Sequence, residues 1–199
     1  FGMSSGVQVK KRLALVLAVF LAVFSNGIAM APATAISYAV FCLKINMNET
    51  MFAQGMIPHH QQAIDMSNMA LKNSSNPEVK KLAKAIISAQ GKEMAQLKYW
   101  LSATKSSMTM DHDMGAMDHG MGMSGMLPDS AVTALKKLKG SKFDTAFLQA
   151  MIAHHEGALE MVSMLDRTKN SEAKKIATDI QKGQSSEITL MKKLLAKSK

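Results

Sequence analysis

The sequence predicts an all-α fold, a ferritin-like four-helix bundle made of two repeated αα-hairpins with a long Met/His-rich crossover. Three observations predict it. FAQGMIPHHQQAIDMSNMA (52–70) recurs at an offset of 95 as FLQAMIAHHEGALEMVSML (147–165). The match continues at an offset of 94, where EVKKLAKAIISAQGKEMAQLKYWL (78–101) aligns with EAKKIATDIQKGQSSEITLMKKLL (172–195). Within each copy the apolar residues return with the 3.6-residue period of a helix, so each helix carries a stripe that it cannot bury alone. Packing the stripes against one another is the economical solution; two separate hairpin domains are the rival arrangement.

The chain opens with the layout of an export leader over 1–35. Lys10, Lys11 and Arg12 precede twelve consecutive apolar residues, Leu13 to Phe24, and small residues follow at Ala29-Met30-Ala31 and Ala33-Thr34-Ala35. Twelve residues make about 18 Å of helix, short of the roughly 30 Å hydrocarbon core. Cleavage after Ala35 is expected rather than retention as an anchor, giving a periplasmic or secreted chain with no stable membrane insertion once the leader is removed. The single cysteine, Cys42, excludes an intramolecular disulfide and a thiolate cluster.

Residues 36–199 form the bundle. The first hairpin is expected over 48–105. Its first helix runs from Glu49 to about Asn73, kinked by Pro58, which lacks the backbone donor. Asn76 then caps a second helix with Pro77 at its first position and Glu78 in its first turn. The stripe of that helix is 79, 82, 83, 86, 90, 94, 97 and 101. A flexible Met/His-rich linker spans 106–128. A short helix from Asp129 to Lys139 precedes the second hairpin within 129–199, with helices from about Lys142 to Thr168 and from Ser171 to Lys197.

The linker carries the main chemical signal. The chain has 19 methionines. Seven of them, Met108, Met110, Met114, Met117, Met121, Met123 and Met126, crowd into one glycine-rich stretch with His112 and His119. Methionine is normally a core filler, yet this stretch has neither helical nor strand periodicity and cannot build a core. A thioether is a neutral, polarisable donor that suits Cu(I) and, as its mimic, Ag(I). Imidazole and carboxylate nearby also suit Cu(II). Zinc would leave the methionines unexplained.

A second donor set lies on the helices. Met56, His59 and His60 stand at i, i+3 and i+4, followed by Met66 and Met69 along the same side. The second copy repeats them as Met151, His154, His155, Met161 and Met164. Adjacent histidines spread their rings by about 100° around a helix, so one ring is expected inside the bundle and the other near its edge. Gln90 and Glu93, with Gln184 and Glu187, flank the apolar stripe. There a carboxylate could fix a histidine tautomer or satisfy an unrelated polar contact.

The repeated core Met-Ile-x-His-His-x-x-Ala-x-x-Met (56–66 and 151–161), with Gln90-x-x-Glu93 and Gln184-x-x-Glu187, resembles the family known as domain of unknown function 305. The resemblance covers about residues 48 to 197. It implies an exported, ferritin-like helical bundle that binds Cu(I), Ag(I) and Cu(II) in copper resistance. Separately from the resemblance, a copper efflux or sensor protein is the candidate partner beyond the metal ions.

Other classes fit less well. No Glu-x-x-His or His-Glu-x-x-His occurs, so a di-iron carboxylate centre or a zincin helix is not encoded. A cuprous oxidase would lack a blue-copper His₂Cys centre. The net charge of +9 includes three leader residues, and aromatics make up only 5% of the chain, so no stacking platform for nucleic acid is present. The sequence therefore points to a non-enzymatic protein that sequesters metal. A non-metal helical adaptor or stress protein is the plain alternative.

Overall fold

The computed structural model describes residues 45–109 and 124–197. The expected leader, Cys42 and the linker positions Met110, His112, Met114, Met117, His119, Met121 and Met123 lie outside the described residues. Among the described residues there are five α-helices and no strand: α1 (Met47–Asn73), α2 (Pro77–Ala103), α3 (Asp129–Lys137), α4 (Gly140–Val162) and α5 (Ser171–Lys197). A 3-10 turn, Ser163–Leu165, follows α4. None of these helices is long and apolar enough to cross a membrane.

Local chemistry sets the helix starts. Asn46 Oδ1 accepts the Glu49 amide at 3.0 Å, and the Glu49 carboxylate accepts the Asn46 amide at 2.9 Å. This reciprocal pair satisfies two donors that a helix start would leave bare. Asn76 Oδ1 accepts the Glu78 amide at 2.8 Å, and Asn170 Oδ1 accepts the Glu172 amide at 3.0 Å. The repeat thus extends to the caps of α2 and α5. α1 continues through Pro58, although the Gln54 carbonyl loses its usual i+4 donor there.

Two ends differ from expectation. α4 stops at Val162, six residues before Thr168. Ser163 Oγ donates to the Glu160 carbonyl at 2.7 Å, which favours the tighter turn, and the Thr168 hydroxyl donates to Glu49 instead of facing a helix. α3 ends at Lys137, two residues before Lys139, whose ammonium donates to Asn73 Oδ1.

α1 packs along α2, α4 along α5, and α1 against α4; α2 meets α5 more lightly, and α3 touches α1 and α4. α1 and α4 run antiparallel. Glu49 at the start of α1 bonds Thr168 beyond the end of α4, while Asn73 at the end of α1 bonds Lys139 just before α4.

The apolar interior has two parts. One gathers Met66, Ile86, Phe143, Phe147, Met151 and Met191; the other gathers Phe52, Met56, Leu97, Trp100, Met161 and Ile180. Each fully buried large side chain contributes about 1.5–3 kcal/mol. Each of the four long helices supplies residues to both parts, and between them each helix carries polar residues. These are His59 and His60 on α1, Gln90 and Glu93 on α2, His154 and His155 on α4, and Gln184 and Glu187 on α5. The repeat thus places a polar layer across the middle of the fold.

Candidate metal centre

All four helical histidines are completely buried, so the edge position expected for one ring of each pair does not occur. The reason is a carboxylate on the neighbouring helix. His60 Nε2 lies 2.7 Å from Glu93 Oε2, and His155 Nε2 lies 2.7 Å from Glu187 Oε2. A polar ring can enter the interior because its outward nitrogen is bonded.

The other two rings meet across the α1–α4 contact. The centroids of His59 and His154 are 3.8 Å apart, with a tilt of 40°. His59 Nε2 donates to the Ser124 carbonyl at 3.0 Å. Neither nitrogen of His154 has a hydrogen bond of good geometry. Burial pushes the His59 pKa from 6.5 down to about 4, with the nearby His60 and His155 acting in the same direction and the Ser124 carbonyl opposing. Burial pushes His154 further, to about 2, helped by His59, His155 and His60 and opposed by the backbone of His59. Both rings are therefore neutral near pH 7, the form in which imidazole can donate a lone pair.

Eleven buried side-chain polar atoms among the described residues have no partner, and nine belong to this layer. They are Nδ1 of His59, His60 and His155, both nitrogens of His154, and both amide atoms of Gln90 and of Gln184. Folded proteins pair such atoms. Their concentration in one layer suits a polar or ionic occupant.

Thioethers flank the layer. Met56, Met66 and Met151 are fully buried and Met161 is nearly so; Met69 and Met164 are half-buried at the margins of the apolar clusters. Met56 and Met161 share one cluster, while Met66 and Met151 share the other. Of the linker methionines, Met108 is exposed and Met126 half-buried.

Among the described residues no group of three or more His, Cys, Asp or Glu side chains is arranged to hold an ion. Among the described residues, imidazole and carboxylate alone do not complete a site for a hard or octahedral cation. Neutral imidazoles beside thioether-bearing clusters do fit a soft ion of low coordination number.

The sequence reading missed how the linker ends are fastened. Gln54 Nε2 donates to the carbonyls of Ser107 and Thr109, both at 3.0 Å. Gln62 donates to the Leu127 carbonyl at 2.9 Å and accepts the Leu127 amide at 2.8 Å. Ser124 Oγ donates to Glu160 at 2.5 Å. Gly125 has φ +81°, and a Cβ there would stand 2.5 Å from the Ala153 carbonyl oxygen. A Cβ on Gly157 would stand 1.9 Å from the Ser124 carbonyl oxygen. Both ends of the linker are thus held on α1, one on each side of His59 in sequence. A signal existed in the repeat itself, because Gln62 of the first copy aligns with Gly157 of the second.

Comparison with known proteins follows the same repeat. The family model described as "Domain of unknown function (DUF305)" matches residues 49–195. A DUF305 protein of Streptomyces coelicolor, described as a candidate secreted protein, is 31% identical with a TM-score of 0.70; the match covers 76% of this chain and 93% of that one. A DUF305 fragment from Deinococcus radiodurans is 30% identical, with a TM-score of 0.67, covering 76% and 97%. CopM in its Cu(I)-bound form is 34% identical, with a TM-score of 0.61, covering 75% and 96%; CopM structures with Cu(II) and with silver also match. No curated protein sequence matches. The chain belongs to the DUF305 family.

Proposed function

We propose that this chain captures copper, as Cu(I) and Cu(II), and silver, and buffers these ions for copper tolerance without turning over a substrate. The observation that carries the reading is the polar layer, with nine unpartnered buried atoms, five of them on α1 and α4, the helices that also bear Met56, Met66, Met151 and Met161. The likeness to CopM, solved with Cu(I), Cu(II) and silver, supports the choice of ion. In this reading the donors divide between two places. The helical set is Met56, His59, His60, Met66, Met69, Met151, His154, His155, Met161 and Met164. The linker set comprises the methionines from Met108 to Met126 with His112 and His119, and its aspartates draw a cation against a basic background.

The architecture we assign is the ferritin-like four-helix bundle of two αα-hairpins, with the linker as crossover. We assign it to the periplasm or the exterior on the strength of the leader pattern, with a copper efflux or sensor protein as recipient.

Anaerobic Cu(I) titration against a chromogenic chelator tests the reading. The intact chain is expected to take several equivalents. A variant in which residues 110–123 are replaced by a Gly/Ser segment of equal length keeps the fastenings at Gln54 and Gln62 and is expected to retain the helical equivalents only. Preference for Zn(II) over Cu(I), or no retention of either Cu(I) or Ag(I), overturns it.

A further inference from the structure

We infer that His60 and His155 present Nδ1, not Nε2, to a bound soft ion, and that Glu93 and Glu187 are the positioning residues that make them do so. The inference rests on the proposed metal function and adds which atom binds and what holds it. A carboxylate oxygen only accepts, so the 2.7 Å contacts of His60 with Glu93 and of His155 with Glu187 place the ring proton on Nε2. In that tautomer the lone pair is on Nδ1. Both Nδ1 atoms are buried and without a partner. A proton on Nδ1 would create a buried N–H with no acceptor, which works against the other tautomer. The Ser124 carbonyl imposes the same tautomer on His59, whose Nδ1 is likewise unpartnered.

Both halves of the repeat show this arrangement. His60 and Glu93 are 33 residues apart, His155 and Glu187 are 32 apart, and each pair joins the two helices of its own copy. A structural role alone would be met by any acceptor for the buried ring. A carboxylate also raises the basicity of the opposite nitrogen, and metal-binding histidines commonly carry such a partner. Each carboxylate is mostly buried, at 18% and 17% exposure, so its charge is only partly screened where it meets the ring.

The test is solution NMR of the ¹⁵N-labelled intact chain at pH 8, first metal-free and then with Ag(I), whose nuclear spin couples to a bound nitrogen. Long-range proton–nitrogen spectra are expected to show His60 and His155 protonated at Nε2 before silver is added. Silver coupling is then expected on Nδ1 of these rings. Glu93→Ala is expected to populate the other tautomer of His60 and to weaken silver binding at that ring by about 10–100-fold. Glu93→Gln keeps an acceptor oxygen and is expected to restore the tautomer. Protonation at Nδ1 in the metal-free wild type, or silver coupling at Nε2, overturns the inference while leaving the proposed function standing. Expected tautomers with no silver response at any histidine overturn the inference together with the helical part of that function. The wild-type spectra decide the matter even if a Glu93 variant fails to fold.

Discussion

His59 and His154 occupy equivalent positions of a repeat, and their rings lie 3.8 Å apart where α1 crosses α4. Because the two helices are antiparallel, the repeat sets each copy's leading methionine in the same apolar cluster as the other copy's trailing one, Met56 with Met161 and Met151 with Met66. A local two-fold relation therefore passes between the two rings. The linker breaks it, since Ser124 bonds His59 and leaves His154 without such a partner. Two equivalent pieces of sequence thus become two chemically different rings.

Acid should unfold the metal-free protein through this pair. Both pKa values are lowered on folding, from 6.5 to about 4 for His59 and about 2 for His154. The unfolded chain binds more protons below pH 6.5, so stability is complete above that value and declines as pH falls through it. Each ring costs up to about tenfold in the folding constant per pH unit, until its folded pKa is reached. Urea unfolding at pH 7.5, 6 and 5 should show the decline, with a shallower slope in His154→Leu. Equal midpoints at all three values would contradict the assignment of buried neutral rings.

The helices were legible in the sequence because local chemistry sets them. The repeat, the caps at Asn76 and Asn170 and the stripe through Val79, Leu82 and Ile86 all point the same way, and the structure buries those positions. The end of α4 was not legible, because Ser163 to Asp166 contains no glycine or proline; what stops the helix is a Ser163 side-chain bond and the distant Glu49. The same division applies to the site. Spacing on one helix marks His59 and His60 as a pair. It cannot say that the second ring is drawn inward by Glu93, or that His59 meets His154, since both contacts depend on which helices become neighbours. In sequence alone Glu93 and Glu187 fit a tautomer role and an unrelated contact equally, and the 2.7 Å bonds give each its histidine.

Core methionines can be told from binding methionines by shape-conserving substitution. Met66 and Met151 are fully buried in one apolar cluster. Met→Leu keeps most of the volume and should cost less than about 1.5 kcal/mol of stability each. Removing the side chain, Met→Ala, should cost about 2–5 kcal/mol. If the thioethers also bind, Met66→Leu with Met151→Leu should weaken silver binding by an order of magnitude or more while the denaturant midpoint barely moves. Unchanged affinity in the folded double variant would reduce both residues to packing.

Three glycines within the helices should respond in opposite ways to one added methyl group. Gly91 on α2 and Gly183 on α5 have nothing within 4 Å of a new Cβ. Alanine there should stabilise the fold by roughly 0.5–1 kcal/mol each, the usual helix gain over glycine. Gly157 on α4 is different, because its new Cβ would collide with the Ser124 carbonyl at 1.9 Å. The obstacle is backbone, so a rotamer change cannot relieve it. Gly157→Ala should push Ser124–Gly125 off α4 and break the Ser124–His59 bond, offsetting the helix gain. The Leu127 amide, bonded to Gln62 at 2.8 Å, sits three residues further along and reports that displacement. Its hydrogen exchange should accelerate in Gly157→Ala and stay unchanged in Gly91→Ala and Gly183→Ala. If all three variants gain stability alike and Leu127 remains protected, the end of the linker is not fastened over the histidine pair.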